Sequence, residues 1–123
     1  VVDVASLPAQ ALALMEAHWP GPLTLVLPGR EGLAPGLKND TGGIGVRISP
    51  DPVALSLLAA LAAPLTATSA NLSGQPPAKE AAAAALPGVA LTLDDGVRDG
   101  VASTVAALEG ERLVVLRQGG IRL

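Results

Sequence analysis

Cysteine is absent from the 123 residues, which removes disulfides, thiolate metal sites, thiol nucleophiles and iron–sulfur clusters together. Histidine occurs once, at His18, so a histidine metal cluster is equally out of reach. Phenylalanine and tyrosine are missing, and a single tryptophan, Trp19, is the whole aromatic inventory. A stacking platform for single-stranded bases needs several aromatic faces, so that function class is set aside. Charge is scarce, at 15% of residues, and the balance is −3, the wrong sign for gripping long stretches of nucleic acid; a local basic pocket stays open. Apolar runs are short. Residues 54–63 and 81–86 fall well below a membrane span and no signal-peptide pattern opens the chain, so it reads as cytoplasmic with no membrane partner.

What is present is hydrophobic. Half of the residues, 50%, are apolar, which excludes disorder and supplies a core of Leu, Val, Ile and Ala. The length suits one domain, residues 1–123. Val1-Val2-Asp3-Val4 enters without a turn or cap, which reads as a chain with sequence upstream. Ser6 before Leu7-Pro8 predicts an N-cap and a helix with Leu12, Met15 and Trp19 on one face, ended by His18-Trp19-Pro20-Gly21-Pro22. A second helix is expected from Asp51-Pro52 to about Ala62, and an Ala-rich third over residues 78–86. Strands are expected over residues 23–27, 44–48, 65–68, 89–93, 103–108 and 113–116, with a long loop at 30–41. Strands alternating with helices and then ending in a run of strands predict an α/β fold whose sheet is mixed rather than purely parallel.

The residue inventory offers no nucleophile and base pair of the usual kinds. Pro28-Gly29-Arg30-Glu31-Gly32 matches neither a Walker A loop nor a dinucleotide fingerprint. Any reaction must be one that positioning and electrostatics can drive. The most unusual stretch runs from Pro64 to Gly74, where Thr66, Thr68, Ser69, Asn71 and Ser73 follow an apolar segment. Their side chains and the turn's backbone N–H groups can face an anionic ligand, or simply make an ordinary Ser/Asn-rich turn. Arg47 sits inside an apolar strand, where its planar fork meets a carboxylate or phosphate, or else leaves an edge strand for solvent. Arg117, after Leu113-Val114-Val115-Leu116, carries the same two readings. Ser103-Thr104 says little on its own, and His18 with Trp19 reads as a packing pair at a helix end.

Taken together, these segments resemble the YrdC/YciO family. His18-Trp19-Pro20-Gly21-Pro22-Leu23-Thr24 is similar to its W-P-G-P-[LVT]-T segment, and Gly45-Val46-Arg47-Ile48 to its G-V-R-[IV]-P strand, with Ser49 intervening before Pro50. Ser69-Ala70-Asn71-Leu72-Ser73-Gly74 matches S-A-N-x-S-G, Ser103-Thr104-Val105 resembles S-T-V, and Arg117-Gln118-Gly119 the closing R-x-G. Each is weak alone; in this order across nearly the whole chain they are specific.

The resemblance implies a twisted α/β sheet with flanking helices around a deep, positively lined cavity. It implies L-threonylcarbamoyladenylate synthase activity, joining L-threonine, bicarbonate and ATP with Mg²⁺ into threonylcarbamoyl-AMP and pyrophosphate for transfer-RNA modification. Arg47 and Ser103 would then hold L-threonine, and Ser69, Asn71 and Arg117 the nucleotide. A downstream threonylcarbamoyl-transferase complex would be the partner, with direct contact to tRNA or double-stranded RNA as a further expectation. The family's Y-P-T-[DE]-T turn and K-x-R motif have no counterpart here, so the chain reads as the larger, C-terminal part of a short single-domain form. Three other readings share the fold: a YciO-like paralogue, which typically loses the S-A-N turn that this chain keeps; an RNA-binding module; and the carbamoyl-transfer domain of hydrogenase maturation factors.

Overall fold

The computed structural model describes residues 1–123. A 3₁₀ turn over Val4–Ser6 leads into α1 (Ala9–His18), β1 (Leu23–Pro28), β2 (Gly43–Val46), α2 (Pro52–Leu61), a single-turn α3 (Ala81–Ala84), β3 (Thr104–Glu109) and β4 (Arg112–Arg117). The strands make one four-stranded sheet in the order β2-β1-β3-β4. β1 runs antiparallel to β2 and parallel to β3, while β3 and β4 form an antiparallel hairpin. The sheet is therefore mixed and the fold α/β, as the alternation of patterns predicts.

The chain falls into two compact units, residues 1–56 with 101–123, and residues 57–100. The first unit holds the core. Along β1 the side chains alternate between faces, with Leu23, Leu25 and Leu27 fully buried on one and Thr24 and Val26 half-buried on the other. Parallel pairing sets Thr104 and Ala106 of β3 beside Leu23 and Leu25, and both are fully buried. α1 covers this face with Ala11, while Leu14, Met15 and Trp19 pack around its edge. Leu12, expected on that face, is 40% exposed: the stripe runs through Leu7, Ala11 and Met15, and Leu12 lies about 100° round the helix from Ala11. Ser6 is not the N-cap either. It belongs to the preceding 3₁₀ turn, where its Oγ donates to Asp3 O at 2.9 Å, and Pro8 occupies the cap position of α1.

α2 begins as its sequence predicts. Asp51 Oδ1 accepts from Val53 N at 2.9 Å and Ala54 N at 3.4 Å, which satisfies two of the donors that a helix start leaves open. In the second unit the expected strands over 65–68 and 89–93 are not formed. β-branched and apolar composition favours a strand only where a neighbour supplies a ladder, and no strand pairs with these segments. The Ala-rich helix shrinks to Ala81–Ala84 because the residues before it are held otherwise: Ala78 N donates to Ala70 O at 2.8 Å and Lys79 O accepts from Arg98 N at 2.6 Å. No residue of this unit is fully buried.

Candidate functional site

Ser103 and Arg117, two of the polar residues singled out by sequence, meet on the face of the sheet opposite the core. Ser103 immediately precedes β3, and in extended chain its side chain shares a face with Val105 rather than with buried Thr104. Val105 is registered with Thr24 of β1 on one side and with Arg117 of β4 on the other. The ladder between β1 and β2 ends at Leu25 and Val46, and Arg47 follows directly after the last residue of β2. Thr24, Ser103 and Arg117 thus form a row on the face that carries no buried leucine, and Arg47 stands just past the end of the neighbouring strand β2.

The members of the row are joined. Thr24 Oγ1 and Ser103 Oγ lie 2.9 Å apart. Arg117 donates from Nε and Nη2 to Ser103 O, at 3.1 and 2.8 Å, and from Nη2 to Ser103 Oγ at 3.1 Å. A guanidinium has five N–H donors, so this fork leaves the two on Nη1 for an outside acceptor. Arg47 is exposed at the end of edge strand β2, and its guanidinium has no protein partner. Its chain is fixed next door, where Gly21 N donates to Ile48 O at 2.9 Å.

Thr104 anchors the row from the core side. Its hydroxyl is fully buried, donates to Ile121 O, and accepts from Gly119 N and Ile121 N, both at 3.0 Å. This hydroxyl ties the Gln118–Ile121 turn to the start of β3, which holds Arg117 beside Ser103. Ser103 is the residue expected through the family resemblance to hold L-threonine, whereas Thr104 and Thr24 carry no expected role. The signals for Thr24 are its place at the end of the W-P-G-P-[LVT]-T resemblance and as the polar step between Leu23 and Leu25, and for Thr104 the S-T-V resemblance alone. Trp19 behaves as the packing residue expected, its Nε1 donating to Leu23 O at 2.7 Å while the ring lies against the core.

Ser69 and Asn71 lie in the second unit. The turn is closed by Asn71 N donating to Ser69 O at 3.1 Å and Gln75 N to Leu72 O at 3.0 Å. Ser69 is exposed. Asn71 donates through Nδ2 to Leu72 O at 2.9 Å, but its Oδ1 is buried with no partner. A buried acceptor without a donor is costly, and it marks where a ligand donor, a water or a cation belongs. No group of three His, Cys, Asp or Glu side chains gathers anywhere to cage a metal. A cleft of about 330 Å³ at the other end of β1, lined by Leu27, Pro28, Leu108 and Glu111 among others, contains none of the motif residues. No helix is long and apolar enough to cross a membrane.

The sequence pattern shared by Sua5, YciO and YrdC proteins, described as telomere recombination, matches residues 1–119. A threonylcarbamoyl-AMP synthase of Xanthomonas campestris pv. campestris is 43% identical over 99 residues, which cover 80% of this chain and 52% of that protein. One from Xanthomonas oryzae pv. oryzae is 41% identical over 105 residues, 85% of this chain and 55% of that protein. The chain therefore spans about half the length of the curated relatives it matches. Among solved structures, P. abyssi Sua5 complexed with L-threonine superposes with a TM-score of 0.86 at 35% identity, covering 94% of this chain and 35% of that one. E. coli YciO superposes with a TM-score of 0.77 at 27% identity, covering 93% and 58%.

Proposed function

Because the chain belongs to the Sua5/YciO/YrdC family, we propose that it carries the amino-acid-holding face and the nucleotide-binding turn of an L-threonylcarbamoyladenylate synthase, an ATP-using nucleotidyltransferase of transfer-RNA modification. The observation that carries this reading is the polar row on the sheet: a hydroxyl pair, Thr24 and Ser103, held by the guanidinium of Arg117, with the partnerless guanidinium of Arg47 just past the end of the adjoining strand β2. An α-amino acid carboxylate fits such a row, Arg47 pairing with it through two charge-assisted hydrogen bonds and Ser103 Oγ donating to an oxygen of the ligand. The L-threonine complex of P. abyssi Sua5 supports that assignment by analogy.

The reaction needs no base from the protein. The amine of L-threonine combines with bicarbonate and releases water to give a carbamate. A carbamate oxygen then attacks the α-phosphorus of ATP, the bond to the bridging oxygen breaks, and pyrophosphate leaves. The protein has to hold the carbamate in line and stabilise the charge that spreads over the phosphate oxygens. Arg117 contributes through its two free Nη1 donors, and Ser69 and Asn71 hold the nucleotide. Magnesium is the implied ion. A single neutral carbonyl oxygen, Asn71 Oδ1, with no carboxylate cage, fits a cation that arrives on the triphosphate and keeps much of its water, screening the phosphate charges when bound.

The product is a reactive mixed anhydride, so a threonylcarbamoyl-transferase complex must consume it, and the cytoplasm is where transfer RNA and ATP meet. Direct RNA contact has little in its favour, since the net charge is −3. The deciding experiment is pyrophosphate release by the protein of the complete reading frame, supplied with Mg-ATP and bicarbonate. Release that depends on L-threonine is expected; its absence from folded protein would leave the YciO-like reading.

A further inference from the structure

We infer that Thr24 is a positioning residue for L-threonine, acting through Ser103; this rests on the synthase reading above. A serine hydroxyl has one proton to give and two lone pairs. One lone pair of Ser103 Oγ takes a proton from Arg117 Nη2 at 3.1 Å, and the 2.9 Å contact to Thr24 Oγ1 occupies either the second lone pair or the proton itself. In the free protein both directions are open. An anionic ligand removes the choice, because a hydroxyl gives its proton most favourably to a charged oxygen. Ser103 then donates to the ligand and must accept from Thr24. By donating, Thr24 fills the second lone pair of Ser103 Oγ, and with Arg117 on the first it fixes the direction in which the remaining proton points.

The surroundings of Thr24 match this role. It stands on β1 between Leu23 and Leu25, which are fully buried on the other face, so its backbone is held by the core while its side chain faces the row. Gly45 is its neighbour from β2, and a Cβ there would lie 3.3 Å from Thr24 Cγ2. The absent side chain leaves the methyl its place and so helps to fix the hydroxyl on the Ser103 side. Arg47, two residues after Gly45 and just past the end of β2, then meets the ligand from the β2 flank. Neither Thr24 nor Gly45 needs to touch L-threonine.

The test compares wild type, Thr24→Val and Thr24→Ser in the complete protein, by steady-state pyrophosphate release with L-threonine and ATP varied separately. Valine keeps the shape and removes the donor. Thr24→Val is expected to raise KM for L-threonine about tenfold, equivalent to about 1.4 kcal/mol, while KM for ATP and the melting temperature stay at wild-type values. Thr24→Ser restores KM for L-threonine. Two results overturn the inference while leaving the synthase reading intact: wild-type release that depends on L-threonine with KM unchanged in Thr24→Val, or KM for both substrates raised together, as a loosened sheet would do. Wild-type release indifferent to L-threonine would instead overturn the synthase reading, and this inference with it.

Discussion

Thr104 shows how much one buried hydroxyl can decide. It meets one acceptor and two backbone donors in the turn that follows β4, and it has no access to water that could replace them. Replacing it by valine keeps the volume but leaves Gly119 N and Ile121 N, in a partly buried turn, without their acceptor. An orphaned buried group costs about 1 to 3 kcal/mol, and with two groups that are only partly buried Thr104→Val is expected to destabilise the fold by about 2 kcal/mol. A urea melt reads this directly, and an unchanged midpoint would mean that the turn does not depend on the hydroxyl. Arg47 is the opposite case. It is exposed and partnerless, so its removal is expected to leave stability within about 0.5 kcal/mol of wild type, the range of surface changes.

At the scale of elements, the joint between β3 and β4 is where sequence and geometry meet most closely. The glycine of Arg117-Gln118-Gly119 lies so near the entry to β3 that a Cβ would fall 2.2 Å from Ala102 O and 2.4 Å from Ser103 C and Thr104 N. All three are backbone atoms and cannot turn aside. Gly119→Ala must therefore push Ser103 away from Arg117, whereas Gly100→Ala meets nothing within 4 Å and is expected to be neutral. Nearly equal melting temperatures for the two variants would contradict the close approach. The sheet strands are legible because each is a short apolar run between turns. The strands expected over 65–68 and 89–93 failed because a ladder partner is a tertiary fact that local composition does not contain. The third helix was overread for a related reason: alanine favours a helix, but Ala78 and Lys79 hydrogen-bond to Ala70 and Arg98 instead. Arg47, Ser103 and Arg117 were found through resemblance and alternation. That Thr24 joins them depends on register, which no single segment reveals.

The molecule as a whole distributes its order unevenly. All fully buried residues belong to the unit of residues 1–56 and 101–123, and none to residues 57–100. Segments with few buried contacts open at lower free energy than core strands. Amide hydrogen exchange is expected to be slowest in β1 and β3 and fast across residues 57–100, the Ser69–Gly74 turn included. Uniform protection would show a cooperative unit larger than the burial pattern indicates. A nucleotide bound at that turn should then slow exchange around Asn71, whose buried Oδ1 gains the partner it lacks. The central claim, that the polar row on the sheet holds L-threonine, is tested most directly by calorimetric titration of L-threonine into the complete protein and its Arg47→Ala variant. The account predicts saturable one-to-one binding in the wild type and an affinity about a hundredfold weaker in the variant, as befits a lost charge-assisted pair worth about 2 to 3 kcal/mol. Equal affinity in both, or no binding to the folded wild type, would contradict it.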